Sequence, residues 1–102
     1  MKFDEYQIEA FKTALPSAKR LDYAVIGLGA EAGEVLNKFK KHIRDGKFDK
    51  VAFLDELGDC LWYAALICSL EQVSLADVAK RNLEKLSDRK TRGVIAGSGD
   101  NR

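Results

Sequence analysis

The chain has 102 residues and a mass of 11.4 kDa, enough for one domain and too little for two cores. Apolar residues make up 46% and charged residues 32%, with one proline and eight glycines, which excludes collagen-like repeats and low-complexity disorder. Seventeen basic against sixteen acidic side chains leave a formal charge of +1, which speaks against a strongly basic nucleic-acid binder and an acidic solvating protein.

Residues 1–5 carry two acids, and no cleavable apolar stretch follows them, so no secretory signal is expected. Residues 4–15 place Ile8, Phe11 and Leu15 at helical steps, a short amphipathic helix halted by Pro16 and Ser17. Residues 21–44 repeat apolar side chains at Leu28, Ala32, Val35, Leu36, Phe39 and Ile43, again with helical spacing. The Asp45-Gly46 pair marks a turn. Residues 50–70 form a long helix, and Ser74 opens a fourth as N-cap, with Asp77 three residues on. That helix is expected to run to about Lys90. Residues 1–92 thus form an all-α antiparallel four-helix bundle, and residues 93–102, with three glycines, a flexible C-terminal tail.

Residues 60–70 (CLWYAALICSL) are apolar all round except at Ser69. The run is well short of the ~18 residues of a membrane span. Cys60 and Cys68 fall inside it, about 12 Å apart along a helix, too far for a disulfide. They are expected as buried thiols of a cytoplasmic protein. With His42 as the single histidine, neither a zinc site nor a Cys-His dyad is supported. A helix without a wet face must be covered on every side. Leu54, Leu57, Leu61, Ala65 and Cys68 suffice for the chain's own core. Trp62, Tyr63, Leu66, Ile67 and Leu70 then face a second subunit, giving a homodimer or tetramer through the central helices.

Gly27-Leu28-Gly29-Ala30-Glu31-Ala32 satisfies the G-x-G-x-x-A pattern of dinucleotide-binding folds. The context fails, because such a site needs parallel strands with crossover helices and nothing after Asp55 has strand character. Glycine and alanine also serve close helix approach, the plainer reading here.

Two acidic pairs, Glu31/Glu34 and Glu56/Asp59, are each spaced i, i+3, so each pair projects from one side of a helix. The pairs mirror one another about Asp45, and an antiparallel hairpin brings mirrored positions to similar heights. Four converging carboxylates repel, and a hard divalent cation, Mg²⁺ or Mn²⁺, relieves that repulsion. Mg²⁺ in turn suggests a phosphate-bearing substrate. The bland alternative is a solvated acidic face near Lys38 and Lys41. Asp59 argues against it, because it precedes the all-apolar stretch, where an unpaired acid is costly.

In the fourth helix Asn82, Lys85 and Arg89 form one stripe of an amide and two cations, donors suited to a polyphosphate. A solvated basic face at a helix C-terminus explains the same pattern. The interleaved Asp77, Glu84 and Asp88 oppose a nucleic-acid backbone.

Glu31-x-x-Glu34 followed after 21 residues by Glu56-x-x-Asp59 resembles the signature of the MazG-like all-α nucleoside triphosphate pyrophosphohydrolases. The likeness runs through EAGEV (31–35), DELGDCLWY (55–63), RNLEKL (81–86) and the terminal GSGDNR (97–102). Many members carry a further Glu where this chain has Ala30, which leaves four carboxylates. The resemblance implies Mg²⁺-dependent hydrolysis of a nucleoside triphosphate to monophosphate and pyrophosphate, a house-cleaning reaction on deoxy or non-canonical nucleotides. Glu31, Glu34, Glu56 and Asp59 would hold the metal, with Glu34 taking a proton from the attacking water. Lys38, Asn82, Lys85 and Arg89 would hold the phosphates. Neither a nucleic-acid nor a membrane partner is expected. The rival from another class is a non-catalytic dimerisation module whose acids are surface decoration.

Overall fold

Pro16 shapes the chain before it. A residue ahead of proline is driven out of the helical region, and Leu15 is extended at φ −72°, ψ 156°. The first helix, α1 (Phe3–Lys12), therefore ends earlier than the 4–15 span expected from periodicity, and a 3₁₀ turn follows at Pro16–Ala18. The computed structural model describes residues 1–102 and contains three further helices, α2 (Leu21–Asp45), α3 (Lys50–Leu70) and α4 (Leu75–Arg92), with no strand. The all-α expectation holds. So does the rejection of a dinucleotide fold, since Gly27 and Gly29 lie inside α2.

Local signals set the boundaries. Gly46 closes α2 in the left-handed conformation, φ 69°, which glycine adopts without strain. The Asp49 side chain accepts from the Ala52 N–H to start α3, and Ser74 accepts from the Asp77 N–H to start α4. α4 extends to Arg92, two residues past the expected Lys90, and stops at Gly93, φ 73°.

α2 and α3 pair as an antiparallel hairpin, the most extensive contact in the chain, and α1 lies on α3. Two small core clusters hold these elements. Ala10, Ala65, Cys68 and Leu75 form one, and Ala14, Ala18, Ala24 and Leu66 the other, with Trp62 packed against both. Gln7 brackets α1 to the α3–α4 turn. Its amide donates to Ser69 Oγ (3.1 Å) and the Val73 carbonyl (2.9 Å), and its Oε1 accepts from the Leu75 N–H (2.8 Å). α4 joins the core through Leu75, while Leu83 further along is 67% exposed.

The face assignment along α3 is corrected. Leu66, expected at a partner, is buried, with Tyr63, Ile67 and Leu70 packed around the same cluster. Leu54, Leu57 and Leu61, expected in the core, are 47%, 51% and 38% exposed. The small side chains Ala14, Ala18 and Ala24 decide this, because they let the chain from α1 to α2 close over the Leu66 side. A helix apolar all round carries no such direction in its own sequence.

The C-terminal segment, expected as a flexible tail, lies back on α4. The Arg102 guanidinium donates to the carbonyls of Val94 (2.8 Å), Ile95 (2.8 Å) and Gly99. Asp100 meets Lys85 and Arg89, each 3.2 Å from its Oδ1.

Candidate metal centre

Glu31 comes from α2, and Glu56 and Asp59 from α3, one helical turn apart. The hairpin brings one carboxylate oxygen of each to within 4.8 Å of the others, with Glu31 and Glu56 half-buried and Asp59 exposed. Glu34, the fourth expected ligand, is exposed and stands outside this trio. The pairs thus meet offset, Glu31 facing both acids of α3 instead of each acid finding its mirror position.

The trio is electrostatically loaded. Burial pushes the Glu31 carboxyl up, and the charges of Asp59 and Glu56, a hydrogen bond with Glu56 and the charge of Glu34 push it further the same way. The same field reaches outward. Burial raises the Cys60 thiol, with Glu31, Asp59 and Glu56 adding to the rise. Burial raises the Tyr63 phenol, with a hydrogen bond to Tyr23 and then Glu31 and Asp59 contributing. Tyr6 is raised by burial and then by Asp59. None of the six salt bridges of the chain involves Glu31, Glu56 or Asp59. Negative charge gathered without a basic partner suits a cation.

The donor set fits a hard one. All donors are carboxylate oxygens, which favour Mg²⁺ or Mn²⁺ over softer metals. Oxygens on opposite sides of a Mg²⁺ lie about 4.2 Å apart, so a trio within 4.8 Å needs only small side-chain movement to close on one ion. Three protein oxygens leave positions for water and phosphate, the usual condition of Mg²⁺ in phosphoryl-transfer sites.

Tyr63 stands beside this centre. Its ring presses on Gly27, where an added Cβ would sit 2.2 Å from Cε1, so the glycine gives the ring its place. With Tyr23, Ile26, Gly27 and Ala30 it lines a cavity of about 270 Å³. Sequence reasoning had Tyr63 only at a subunit face. Its position one turn beyond Asp59 was the available signal. Trp62, by contrast, is half-buried against both core clusters, its Nε1–H donating to Thr13 Oγ1 at 2.8 Å.

The expected phosphate ligands are not gathered at the trio. Lys38 is half-buried on α2 and Asn82 exposed on α4. Lys85 and Arg89 are engaged by the C-terminal segment, and the Arg89 side chain keeps only 5% exposure.

Comparison with known proteins bears on this arrangement. The family model described as the MazG nucleotide pyrophosphohydrolase domain matches residues 24–94, a span containing all four acids and the α4 stripe. The Gene 37 protein of Mycobacterium phage L5 is 44% identical over 114 residues, covering 100% of both chains. No solved structure matches.

Proposed function

Since the chain belongs to the MazG nucleotide pyrophosphohydrolase family, we propose that it hydrolyses a nucleoside triphosphate to the monophosphate and pyrophosphate with Mg²⁺ or Mn²⁺ at the α2–α3 trio. The observation that supports this most is the convergence of Glu31, Glu56 and Asp59 within 4.8 Å. A divalent ion held there would offset charge on phosphate oxygens and make a bound water more acidic. Glu34, exposed one turn along α2 from Glu31, would be the carboxylate that accepts a proton from water. Lys38 on α2 and Asn82, Lys85 and Arg89 on α4 would supply phosphate donors, with Lys85 and Arg89 first leaving Asp100. The cavity at Tyr23 and Tyr63 offers aromatic and hydroxyl surface to a nucleoside.

A homodimer or tetramer belongs to the same proposal. The exposed apolar groove of Leu28, Leu54, Leu57, Cys60 and Leu61 runs along the hairpin, and a second copy would cover it. No helix is long and apolar enough to cross a membrane, and the free thiols Cys60 and Cys68 fit a reducing cytoplasmic setting. Turnover of deoxy or non-canonical nucleotides would make the protein a house-cleaning enzyme.

The test is incubation with a panel of standard and modified nucleoside triphosphates plus Mg²⁺, with products identified by ³¹P NMR. Monophosphate and pyrophosphate support the proposal. Diphosphate with orthophosphate, or silence on every nucleotide from a folded sample, favours a different reaction or the non-catalytic module.

A further inference from the structure

Residues 93–102 are built as a unit. Gly93 and Gly99 take left-handed conformations, φ 73° and 82°, that side chains resist. Gly97 leaves room for the Arg102 side chain, whose Cδ lies 2.6 Å from where a Cβ would stand. The Arg102 guanidinium closes the loop on three of its own carbonyls. The segment is therefore clasped to itself.

Its ties to the body are of another kind. Apart from the helix-end bonds of the Gly93 N–H to the Arg89 and Lys90 carbonyls, the Val94 N–H to the Arg89 carbonyl (2.9 Å) and Arg92 to the Arg102 carbonyl, its hydrogen bonds to the body run through Asp100. Lys85 Nζ and Arg89 Nη2 both approach its Oδ1 at 3.2 Å, and Arg89 also donates to its main-chain carbonyl. Hydrogen bonds and charge from Lys85 and Arg89 hold the Asp100 carboxyl below the usual carboxylate range. Arg89 is the one charged residue buried in the chain, at 4% exposure, while Asp100 is 81% exposed on its side chain. A carboxylate oxygen seated between two cations has the form of a bound phosphate oxygen.

We propose that residues 93–102 are a strap in which Asp100 occupies the Lys85–Arg89 cation pair in place of a polyphosphate, and that an incoming polyphosphate displaces it. Asp100, 81% exposed on its side chain, is a weak competitor, since it brings a single solvent-screened charge to these donors. A polyphosphate brings several charges to the same donors. Gly93 is the pivot, and the Arg102 clasp lets the loop leave as one piece. The strap rests on reading the α4 stripe as a phosphate site, and not on hydrolysis.

Binding of inorganic tripolyphosphate to the full chain, measured by calorimetry without metal, tests it. Asp100→Asn should bind roughly threefold to tenfold more tightly than wild type, because the closed strap no longer lowers the competent fraction. Glu84→Gln removes the same charge beside Lys85, and Glu84, exposed on α4, takes part in none of the strap's contacts, so its gain should stay under about twofold. In wild type, tripolyphosphate should speed hydrogen exchange at the Val94 amide. Equal or weaker binding by Asp100→Asn, an equal gain from Glu84→Gln, or slower exchange at Val94 overturns the strap. Absence of tripolyphosphate binding in all three proteins also overturns it, and leaves the metal centre standing if nucleotides still release pyrophosphate. The converse separation is equally clear. Tighter binding by Asp100→Asn alone, with no nucleotide hydrolysed, supports the strap and removes the proposed reaction.

Discussion

Glu31 carries the main strain of the metal-free site, because it is half-buried and faces two acids across the hairpin. Its carboxyl titrates above its ordinary value of 4.5, so the folded chain keeps a proton that the unfolded chain releases. Stability contributed through this group is greatest at low pH and falls as pH rises from about 4.5 through the raised value. In EDTA, Glu31→Gln should therefore melt above wild type at pH 7, and the gap should narrow towards pH 4. A gap independent of pH, in thermal melts across that range, would show that Glu31 is not held against its neighbours. At this scale the sequence was partly legible. The two i, i+3 pairs, mirrored about the turn, identify Glu31, Glu34, Glu56 and Asp59 as a group. They do not show that Glu34 stands apart, because that depends on the offset of α2 against α3, which the turn at Asp45-Gly46 sets only loosely.

The elements themselves follow from local chemistry. Ser74 and Asp49 cap helices, and Gly46 and Gly93 end them, so their boundaries were readable to within a few residues. Packing direction was not. The apolar positions of α3 surround the helix, and only contact with Ala14, Ala18 and Ala24 selects the Leu66 side. The clasp of Arg102 was also hidden, because it joins side chain to main chain across glycines that read as flexibility. Two predictions belong here. Gly27→Ala puts a methyl into the Tyr63 ring, and should cost about 1–3 kcal/mol as overpacking in denaturant melts. An unchanged midpoint would mean that the ring moves freely and does not define the cavity. Lys85→Ala should weaken nucleotide binding by about 1–3 kcal/mol, the scale of a charged hydrogen bond. Unchanged KM and kcat would make the α4 stripe a solvated face.

The whole molecule is open for its length. Its radius of gyration is 16.2 Å, against about 13 Å for a compact chain of this size, and only nine of 102 residues are buried. Burying a large apolar side chain contributes roughly 1.5–3 kcal/mol, so leaving Leu54, Leu57 and Leu61 wet forfeits much of what a small domain needs. The wild type should sediment as a dimer or larger at micromolar concentration. Leu57→Asp, at a position 51% exposed, should shift it towards monomer without disturbing either core cluster. A compact wild-type monomer would remove the interface. Because Ile67 packs within its own chain, an acidic substitution there would confuse folding with assembly.

The hydrolytic role of the α2–α3 trio is tested most directly by pyrophosphate release from Glu56→Gln beside wild type, on the nucleotide that wild type turns over fastest. The substitution keeps the side-chain volume and removes one charged oxygen from the cluster. Turnover should fall at least about 100-fold, well beyond the 1.4 kcal/mol that a tenfold change represents. The metal-free melting temperature should hold or rise, since one repulsive charge is gone. A folded Glu56→Gln protein releasing pyrophosphate at near wild-type rate would contradict the assignment of this site.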